Sequence, residues 1–240
     1  MTLLCIVLEG GNQVGYPSLK EVAEQALEWQ FIKALPEEAE GFKKIVDIAR
    51  KGQILYICSY VNAERKARLD IIYSAETFDY IVSRTMGLNE YRDIRFIYKQ
   101  RDVFANAVVG HIGGMLTEMA SKSSHRPLFI LKEKGIIDWE YGNKLPEKIG
   151  AFELYIKPSE TIRHINGSFI FLDYSDFARK NQLAVMYNVL RDEIFAELKV
   201  AGIFKTSRSF DCKTLQELER KLEKHLTETL EKIDANAYRE

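Results

Sequence analysis

Continuous and alternating apolar runs indicate that strands make up much of this chain. Two β-rich runs, 53–61 and 67–73, flank a short polar segment and predict a hairpin. Residues 93–99 alternate apolar and polar side chains, which is typical of a strand with one exposed face. Asn166-Gly167 between apolar runs predicts a second, tight hairpin. Further strands are predicted at 128–132, 151–157, 160–165, 168–173 and 203–210.

Helical spacing of apolar residues appears in other segments, and capping residues mark two helix starts. Ser18 and Thr214 are each followed three residues later by Glu, and this capping box predicts that a helix begins at each. The helix that follows strand 168–173 is predicted from the apolar positions Leu183, Met186, Tyr187, Leu190, Ile194 and Leu198. Helical periodicity, together with residues that typically begin or end a helix, predicts further helices at 36–51, 74–86, 102–121 and 177–201.

These elements predict an α+β fold, with a mixed or largely antiparallel sheet covered by helices. The successive hairpins argue against a purely parallel, doubly wound sheet. A weakly periodic segment rich in Gly and Pro lies near 135–150, so we expect two subdomains. Residues 1–145 would form an N-terminal α/β subdomain, and residues 146–240 a C-terminal unit of hairpin, helix, strand and helix. No repeat at a solenoid period is found in the sequence.

Composition narrows the class of protein. Hydrophobic residues make up 46% of the 240 positions, which is ample for a core. The net charge of −1 gives no general attraction to nucleic acid or to an anionic membrane. Cys5, Cys58 and Cys212 lack metal-site spacing and are expected to be free thiols in a reducing compartment. The apolar run at 3–8 is too short for a membrane span and is predicted to be a strand, so we expect a cytoplasmic protein.

A glycine cluster in the helix predicted at 102–121 is the first candidate site. Each glycine costs an exposed helix about 1 kcal/mol relative to Ala, so a cluster needs a compensating gain. Close approach of another backbone or of a flat ligand would supply it; the alternative is a break at 113–114. His111 within the cluster is either a metal or haem ligand, a proton-transfer group or a structural residue. Gly110, His111 and Gly114 are therefore candidate ligand-binding residues.

Acidic residues next to predicted strands form the second candidate site. Asp173 and Asp176 follow the apolar run at 168–172, and Asp211 follows the next predicted strand. Carboxylates gathered at strand ends can hold Mg²⁺ together with a nucleotide phosphate. The alternative is that Asp173, Ser175 or Asp176 caps the following helix, where a carboxylate contributes about 0.5–2 kcal/mol. Asp173 and Asp176 are thus candidates for ligand binding, and all three aspartates for metal binding.

The order of these elements resembles the first half of a class III nucleotidyl cyclase domain. The similarity rests on Phe171-Leu172-Asp173, the long predicted helix, Lys205-Thr206 and then Asp211. In that family an apolar strand ends in a metal-binding Asp, and a second Asp lies on a hairpin after a helix. The glycine that normally precedes the second Asp is missing here, and the chain ends before the rest of such a domain. The resemblance therefore does not assign the chain to that family.

Two functions follow as expectations, and the sequence leaves open whether the protein is an enzyme. The first is a non-catalytic binding or regulatory module for a small-molecule ligand, because no catalytic motif is present. The second is a divalent-metal enzyme acting on a nucleotide or phosphorylated substrate through Asp173, Asp176 and Asp211, with Mg²⁺ as its cofactor. The leucine stripe at 214–234 is expected either to close the domain or to form a homodimer.

Overall fold

The first half of the chain folds around one antiparallel sheet. The computed structural model of the protein describes residues 15–121, 129–165 and 167–236. A seven-stranded sheet is preceded by two short helices and followed by a long one. The elements are α1 Leu19–Ala26, α2 Gln30–Ala34, β1 Glu38–Ala39, β2 Phe42–Ile45, β3 Ala49–Lys51, β4 Ile54–Asn62, β5 Ala67–Ser74, β6 Asp79–Met86, β7 Asn89–Tyr98 and α3 Arg101–Ala120.

The second half forms another antiparallel sheet of seven strands with the same succession of elements. Together the two sheets and six helices confirm the predicted α+β class. The elements are α4 Phe129–Glu133, α5 Glu140–Asn143, β8 Lys148–Ile149, β9 Phe152–Ile156, β10 Ile162–Arg163, β11 Ser168–Asp176, β12 Asn181–Asn188, β13 Glu193–Val200, β14 Ile203–Thr206 and α6 Leu215–Asp234.

The two halves are repeats of one unit, residues 15–121 and 129–236. Helices α3 and α6 bury six residues each, and these correspond one to one at an offset of 114 residues, from Phe104 and Leu218 to Met119 and Ile233. Strands β4 and β11, β5 and β12, and β6 and β13 keep the same offset. The register shifts in β4 at Tyr56/Cys58 and in β11 at Ile170/Leu172 also match at this offset.

A short sequence motif marks the start of each repeat. Trp-x5-Leu-Pro-Glu-x4-Phe runs from Trp29 to Phe42 and again from Trp139 to Phe152. Each proline carbonyl accepts a 2.6 Å hydrogen bond from a buried tyrosine, Tyr60 in the first repeat and Tyr174 in the second. The motif therefore ties the segment after the short helices to a central strand of its own sheet.

Each repeat has its own hydrophobic core between a sheet and its helices. The leucine stripe of α6 packs on the second sheet, with Leu218, Leu222 and Leu226 at most 5% exposed. Of the two expected uses of this stripe, the structure shows the closing of the domain. A homodimer through 214–234 would have to use the charged face of α6. Among the described residues, no helix is long and apolar enough to cross a membrane.

The second core also includes residues before the expected subdomain boundary. Leu131, Ile136 and Trp139 lie within the expected N-terminal subdomain 1–145, yet they pack with Phe152, Phe171 and the rest of the second core. The change from one core to the other falls between α3 and α4.

The prediction of a long helix at 177–201 is wrong. Strands β12 and β13 form an antiparallel hairpin in this segment. Both faces of β12 are buried: Leu183 and Val185 face the main core, while Ala184 and Met186 face a smaller cluster on the opposite side. A strand buried on both faces has apolar residues at nearly every position, so its pattern also satisfies a helical period. The turn between the strands holds no Gly or Pro to mark it.

Three other predictions of element type are also wrong. The helices predicted at 36–51 and 74–86 are strands β1 to β3 and β6, and the strand predicted at 128–132 is helix α4 in its described part. Gly41 has the positive φ that the β1–β2 turn requires. The helical spacing of the apolar residues around it led to the prediction of a helix instead of this turn. The capped helices α1 and α6, the 53–73 hairpin, the 93–99 strand and the 102–121 helix are confirmed. The strand predicted at 3–8 and Asn166 lie outside the described residues.

The turns of the first sheet lie against the second sheet. The Tyr155 hydroxyl donates a 2.7 Å hydrogen bond to the Arg65 carbonyl, and Lys66 pairs with Glu153. Gly87, in the β6–β7 turn, lies so close to Tyr155 that a Cβ there would fall 2.5 Å from the ring atom Cε1. This contact leaves no space for a side chain at residue 87.

Replacing Gly87 by Ala should destabilise the protein more than the matched change Gly52→Ala. Both glycines have positive φ, +62° and +61°, so both variants share a backbone cost of about 1–2 kcal/mol. Only at residue 87 does the new methyl collide with Tyr155, which adds about 1–3 kcal/mol. Urea unfolding of the two variants measures the difference in the free energy of unfolding. Equal losses of stability would show that the Tyr155 ring moves aside at little cost.

Candidate ligand site

The strongest polar cluster lies where the two repeats meet, and Asp173 is at its centre. Asn89 and Gln182 donate hydrogen bonds of 2.8 and 2.7 Å to Asp173 Oδ2, and the Ser175 hydroxyl donates one of 2.6 Å to Oδ1. Asp173 and Ser175 are fully buried, and Asn89 and Gln182 are at most 4% exposed. Since Asn89 belongs to the first repeat, this cluster joins the two repeats.

Burial controls the electrostatics of this cluster. Loss of solvent raises the pKa of Asp173, although hydrogen bonds from Ser175, Asn89 and Gln182 and the charge of Lys199 oppose the rise. Burial lowers the pKa of Lys199, which donates a hydrogen bond to the Leu88 carbonyl. Both carboxylate oxygens of Asp173 are engaged by neighbouring donors. The arrangement therefore holds the repeats together, as satisfied buried polar networks do.

The structure does not bring the three predicted metal-binding aspartates together. Asp173 lies on the face of the second sheet that meets the first repeat, whereas Asp176 lies on the opposite face, where Arg179 pairs with it and with Asp234. Asp176 also accepts backbone bonds of 3.1 and 3.3 Å within its turn. Asp211 is exposed, beyond β14. Within the described ranges, no group of three or more His, Cys, Asp or Glu side chains is arranged to hold a metal ion.

The three aspartates also fail to support the cyclase resemblance. Asp176 ends strand β11 and binds a tight turn rather than capping a helix, because β12 follows where the long helix was expected. The resemblance to a cyclase domain required that helix between its two aspartates.

The glycine cluster of α3 faces solvent. The helix is continuous from Arg101 to Ala120, so the break considered at 113–114 does not occur. A Cβ added at Gly110 or Gly114 would meet nothing within 4 Å among the described residues. His111 is exposed, with Nδ1 2.9 Å from the carbonyl oxygen of Ala107 and its ring against Phe96. Ligand binding at Gly110, His111 and Gly114 stays a prediction.

A pair of adjoining clefts opens at the other end of α3, near its N-terminus. Their volumes are about 390 and 270 Å³, and both are lined by Arg101 and Asp102. The larger cleft is also lined by Trp29, Phe31 and Ala105. Trp29 stacks on Phe31 with the ring centroids 5.5 Å apart, which gives the larger cleft an aromatic wall.

Trp29 carries an unsatisfied polar group at this cleft. The residue is 6% exposed, and its buried Nε1 has no hydrogen-bond partner in the part of the chain that the structure describes. A buried donor without a partner costs about 1–3 kcal/mol, so such groups are rare in folded proteins. The described chain therefore supplies no acceptor to this indole N–H.

The second repeat shows how the same position is satisfied internally. Trp139 Nε1 donates a 2.7 Å hydrogen bond to Glu219 Oε1 on α6. At the offset that relates the two helices, Glu219 corresponds to Ala105, which lines the open cleft. Trp139 lies 5.7 Å from Tyr141, as Trp29 lies 5.5 Å from Phe31. The other ring contacts of the two indoles differ: Trp29 lies against Tyr80 and Arg101, whereas Trp139 lies against Phe171.

The two long helices also begin differently. The Thr214 side chain caps α6 by accepting a 3.2 Å bond from the Glu217 amide. At the start of α3 the Gln100 side chain makes no capping bond to any described residue. Arg101 lies over the Trp29 ring at 5.9 Å and pairs with Asp102 at 2.7 Å. Two internal groups of the second repeat, a cap and a carboxylate, are therefore missing from the first.

Reasoning from the sequence missed Trp29, Arg101 and Ala105. The signal for Trp29 was present in the repeated Trp-x5-Leu-Pro-Glu-x4-Phe motif, which identifies it as the counterpart of Trp139. The signal for Ala105 needs the alignment of α3 with α6, whose sequences share little beyond their buried positions.

Replacing Gly110 and Gly114 by Ala should stabilise the protein by about 0.5–1 kcal/mol each, because the new methyl groups enter open space. Gly142→Ala is the contrasting control, since its Cβ would collide with the Trp139 ring, and it should destabilise the fold. Thermal unfolding measures all three changes. A lowered melting temperature for the α3 variants would indicate that the exposed glycines pack against a partner.

The pH dependence of stability should report the burial of Asp173. A raised pKa in the folded state means that the stability contributed by this group is complete below its ordinary value of 3.8 and is lost as the pH rises through the raised pKa. Asp173→Asn keeps the shape and removes the ionisation, so its stability should fall less than that of the wild type above about pH 4. Urea unfolding from pH 4 to 8 measures this, with the exposed Asp211→Asn as a control that keeps the wild-type profile. Parallel profiles of stability against pH for Asp173→Asn and the wild type would contradict the raised pKa of Asp173.

Comparison with known protein families, with curated proteins and with solved structures finds no match to this chain. The second repeat is therefore the internal reference for the site in the first.

Proposed function

We propose that this protein is a non-catalytic binding module whose first repeat takes a small-molecule ligand in the cleft beside Trp29. One observation carries this proposal: the indole N–H is buried and unpartnered among the described residues at an open cleft, whereas its counterpart in the second repeat is bonded to Glu219. An acceptor from outside the described chain would remove this cost.

The dimensions of the cleft support a ligand of small-molecule size. Sites for such ligands commonly enclose about 300–1,000 Å³ and combine apolar walls with a few polar groups. The larger cleft has about 390 Å³, with Trp29 and Phe31 on its wall and Arg101 at its edge. The adjoining cleft of about 270 Å³ extends it toward Tyr80 and Gln25.

The lining supports binding rather than catalysis. The described residues that line the two clefts include no His, Cys, Ser or Lys, and the carboxylates there, Glu28 and Asp102, are each paired with a cation. The proposed site thus moves the expected ligand from the glycines of α3 to the N-terminal end of the same helix. The metal-enzyme alternative loses its support, because Asp173 and Asp176 lie on opposite faces of one sheet.

In the Ala105→Glu variant, we expect the new side chain to occupy the larger cleft. The new carboxylate takes the position of Glu219 and accepts the Trp29 N–H, which should raise stability by about 1 kcal/mol. Asn106→Glu, one position further along α3, adds the same charge and is the matched control without this gain. Thermal unfolding measures both.

Binding is tested by the effect of small molecules on the melting temperature. A panel of carboxylates, amides, alcohols and amines of up to about 15 heavy atoms is screened against the wild type and Ala105→Glu. A compound that binds the cleft stabilises the wild type by about 1.4 kcal/mol at ten times its Kd and leaves Ala105→Glu unchanged. If no compound separates the two proteins, the proposed binding function is wrong.

A further inference from the structure

We infer that the apolar run at residues 3–8 covers the outer face of the first sheet, which is the face directed away from α3. The docking surface is a row of four side chains on adjacent strands, named here the outer row. The register pairs each member with the next across β4, β5, β6 and β7: Tyr56, Ile72, Ile81 and Ile97. The occupant, Leu3-Leu4-Cys5-Ile6-Val7-Leu8, lies outside the described residues.

The side chains next to the outer row in the sequence show which face it occupies. Ile71, Tyr73 and Val82 belong to the first hydrophobic core, which α3 covers. Ile72 lies between the first two, and Ile81 directly precedes Val82. Successive side chains of a strand point to opposite faces of its sheet. Ile72 and Ile81 therefore point away from this core.

The centre of the outer row is nevertheless buried. Ile72 and Ile81 are each 2% exposed. Neither belongs to any of the three hydrophobic clusters that the described residues form. An antiparallel sheet whose outer face meets water normally carries polar residues on that face. Two buried isoleucines there indicate a cover, and one that comes from outside these three clusters.

The second repeat shows which part of the chain covers this face. At the offset of 114 residues, three members of the outer row have counterparts on the second sheet: Ile170, Met186 and Phe195. The cluster around these counterparts includes Ile162, which also packs against the first core, and Tyr155, which binds the Arg65 carbonyl. The second sheet thus buries its outer face against the part of the chain that precedes it. For the first sheet, the preceding part is residues 1–14.

The described chain begins within reach of the outer row. The Tyr16 ring stacks on Phe78 with the ring centroids 4.9 Å apart. Phe78 lies in the turn between β5 and β6, the two strands that carry Ile72 and Ile81. Residues 9–14 join the apolar run to this point, and six residues span up to about 20 Å when extended. Ile72 lies two residues from the end of β5, which is about 7 Å along the strand.

The length and the composition of the run also fit the outer row. Six extended residues cover about 20 Å, and four neighbouring strands span about 14 Å. Alternate side chains of an extended run share one face, and the bulkier set is Leu4, Ile6 and Leu8. We therefore assign this set to the sheet. The segment 122–128, which also lies outside the described residues, is mostly polar and follows α3 at the other end of β5, where Arg65 binds the Ser121 carbonyl.

Methyl NMR on the full-length protein tests the contact directly. The Ile, Leu and Val methyl groups are labelled with ¹³C, and the conservative changes Ile6→Val, Ile72→Val and Ile81→Val identify three of the signals. We expect nuclear Overhauser effects between the Ile6 methyl group and those of Ile72 and Ile81, since these effects arise only between groups in close contact.

A double-mutant cycle measures the energetic coupling. The first variant replaces Leu4, Ile6 and Leu8 by Ser, and the second is Ile72→Ala. Once the cover is lost, Ile72 contributes less, so the two losses should fall short of additivity by at least about fivefold in the equilibrium constant of unfolding. Urea unfolding measures each variant.

Two matched controls accompany this cycle. Serine at Leu3, Cys5 and Val7 makes the same number of changes on the opposite face of the run, and its loss should add to that of Ile72→Ala within about twofold. Met186→Ala, the counterpart of Ile72→Ala in the second repeat, should add in the same way to the variant with serine at Leu4, Ile6 and Leu8.

Two results would overturn this inference. The first is a spectrum in which no methyl group of residues 3–8 contacts Ile72 or Ile81, together with additive losses for both sets of serines. The second comes from a mixed sample of differently labelled chains. If the contacts appear only between chains, the run of a second copy covers the outer row, and cover by the same chain is wrong.

Discussion

The packing of one long helix across one face of an antiparallel sheet is the interaction on which each half of this protein depends. In the first repeat α3 buries Phe104, Val108 and Leu116 on its sheet, and in the second α6 buries Leu218, Leu222 and Leu230 at the corresponding positions. An antiparallel sheet needs such a cover, since its apolar face would otherwise contact water. The buried positions of the two helices therefore correspond, while their exposed positions differ.

This constraint explains how the two repeats keep one fold and differ at one site. Positions that carry the fold are paired: Trp29 with Trp139, Tyr60 with Tyr174, and the proline that each tyrosine hydroxyl binds. Position 105 lies beside the buried row of α3 and not within it, so Ala at 105 and Glu at the corresponding position 219 are both compatible with the core packing. Trp139 has an acceptor on the long helix of its repeat, and Trp29 has none among the described residues.

The contact between the repeats imposes a second constraint. The second sheet is covered by α6 on one face and by turns of the first repeat on the other, and the buried groups Asp173, Gln182 and Asn89 connect them. A carboxylate in such a place needs several donors, because burial alone would make its charged form too costly. Asp173 lies within β11 and therefore has a position that serves assembly, although a carboxylate is also the chemistry of a metal ligand.

Local signals in the sequence determined the α+β class, the capped helices α1 and α6, the hairpin of β4 and β5 and the strand at 168–172. These elements rest on interactions among near neighbours: the Ser18 and Thr214 caps, and alternation along strands with one exposed face. The tertiary structure decided the identity of β6 and β12, because burial on both faces removes the alternation that distinguishes a strand from a helix. It also decided the sites. Glu219 and Trp139 are 80 residues apart in the sequence, and only the packing of a long helix against a short one shows that Ala105 leaves Trp29 without the same partner.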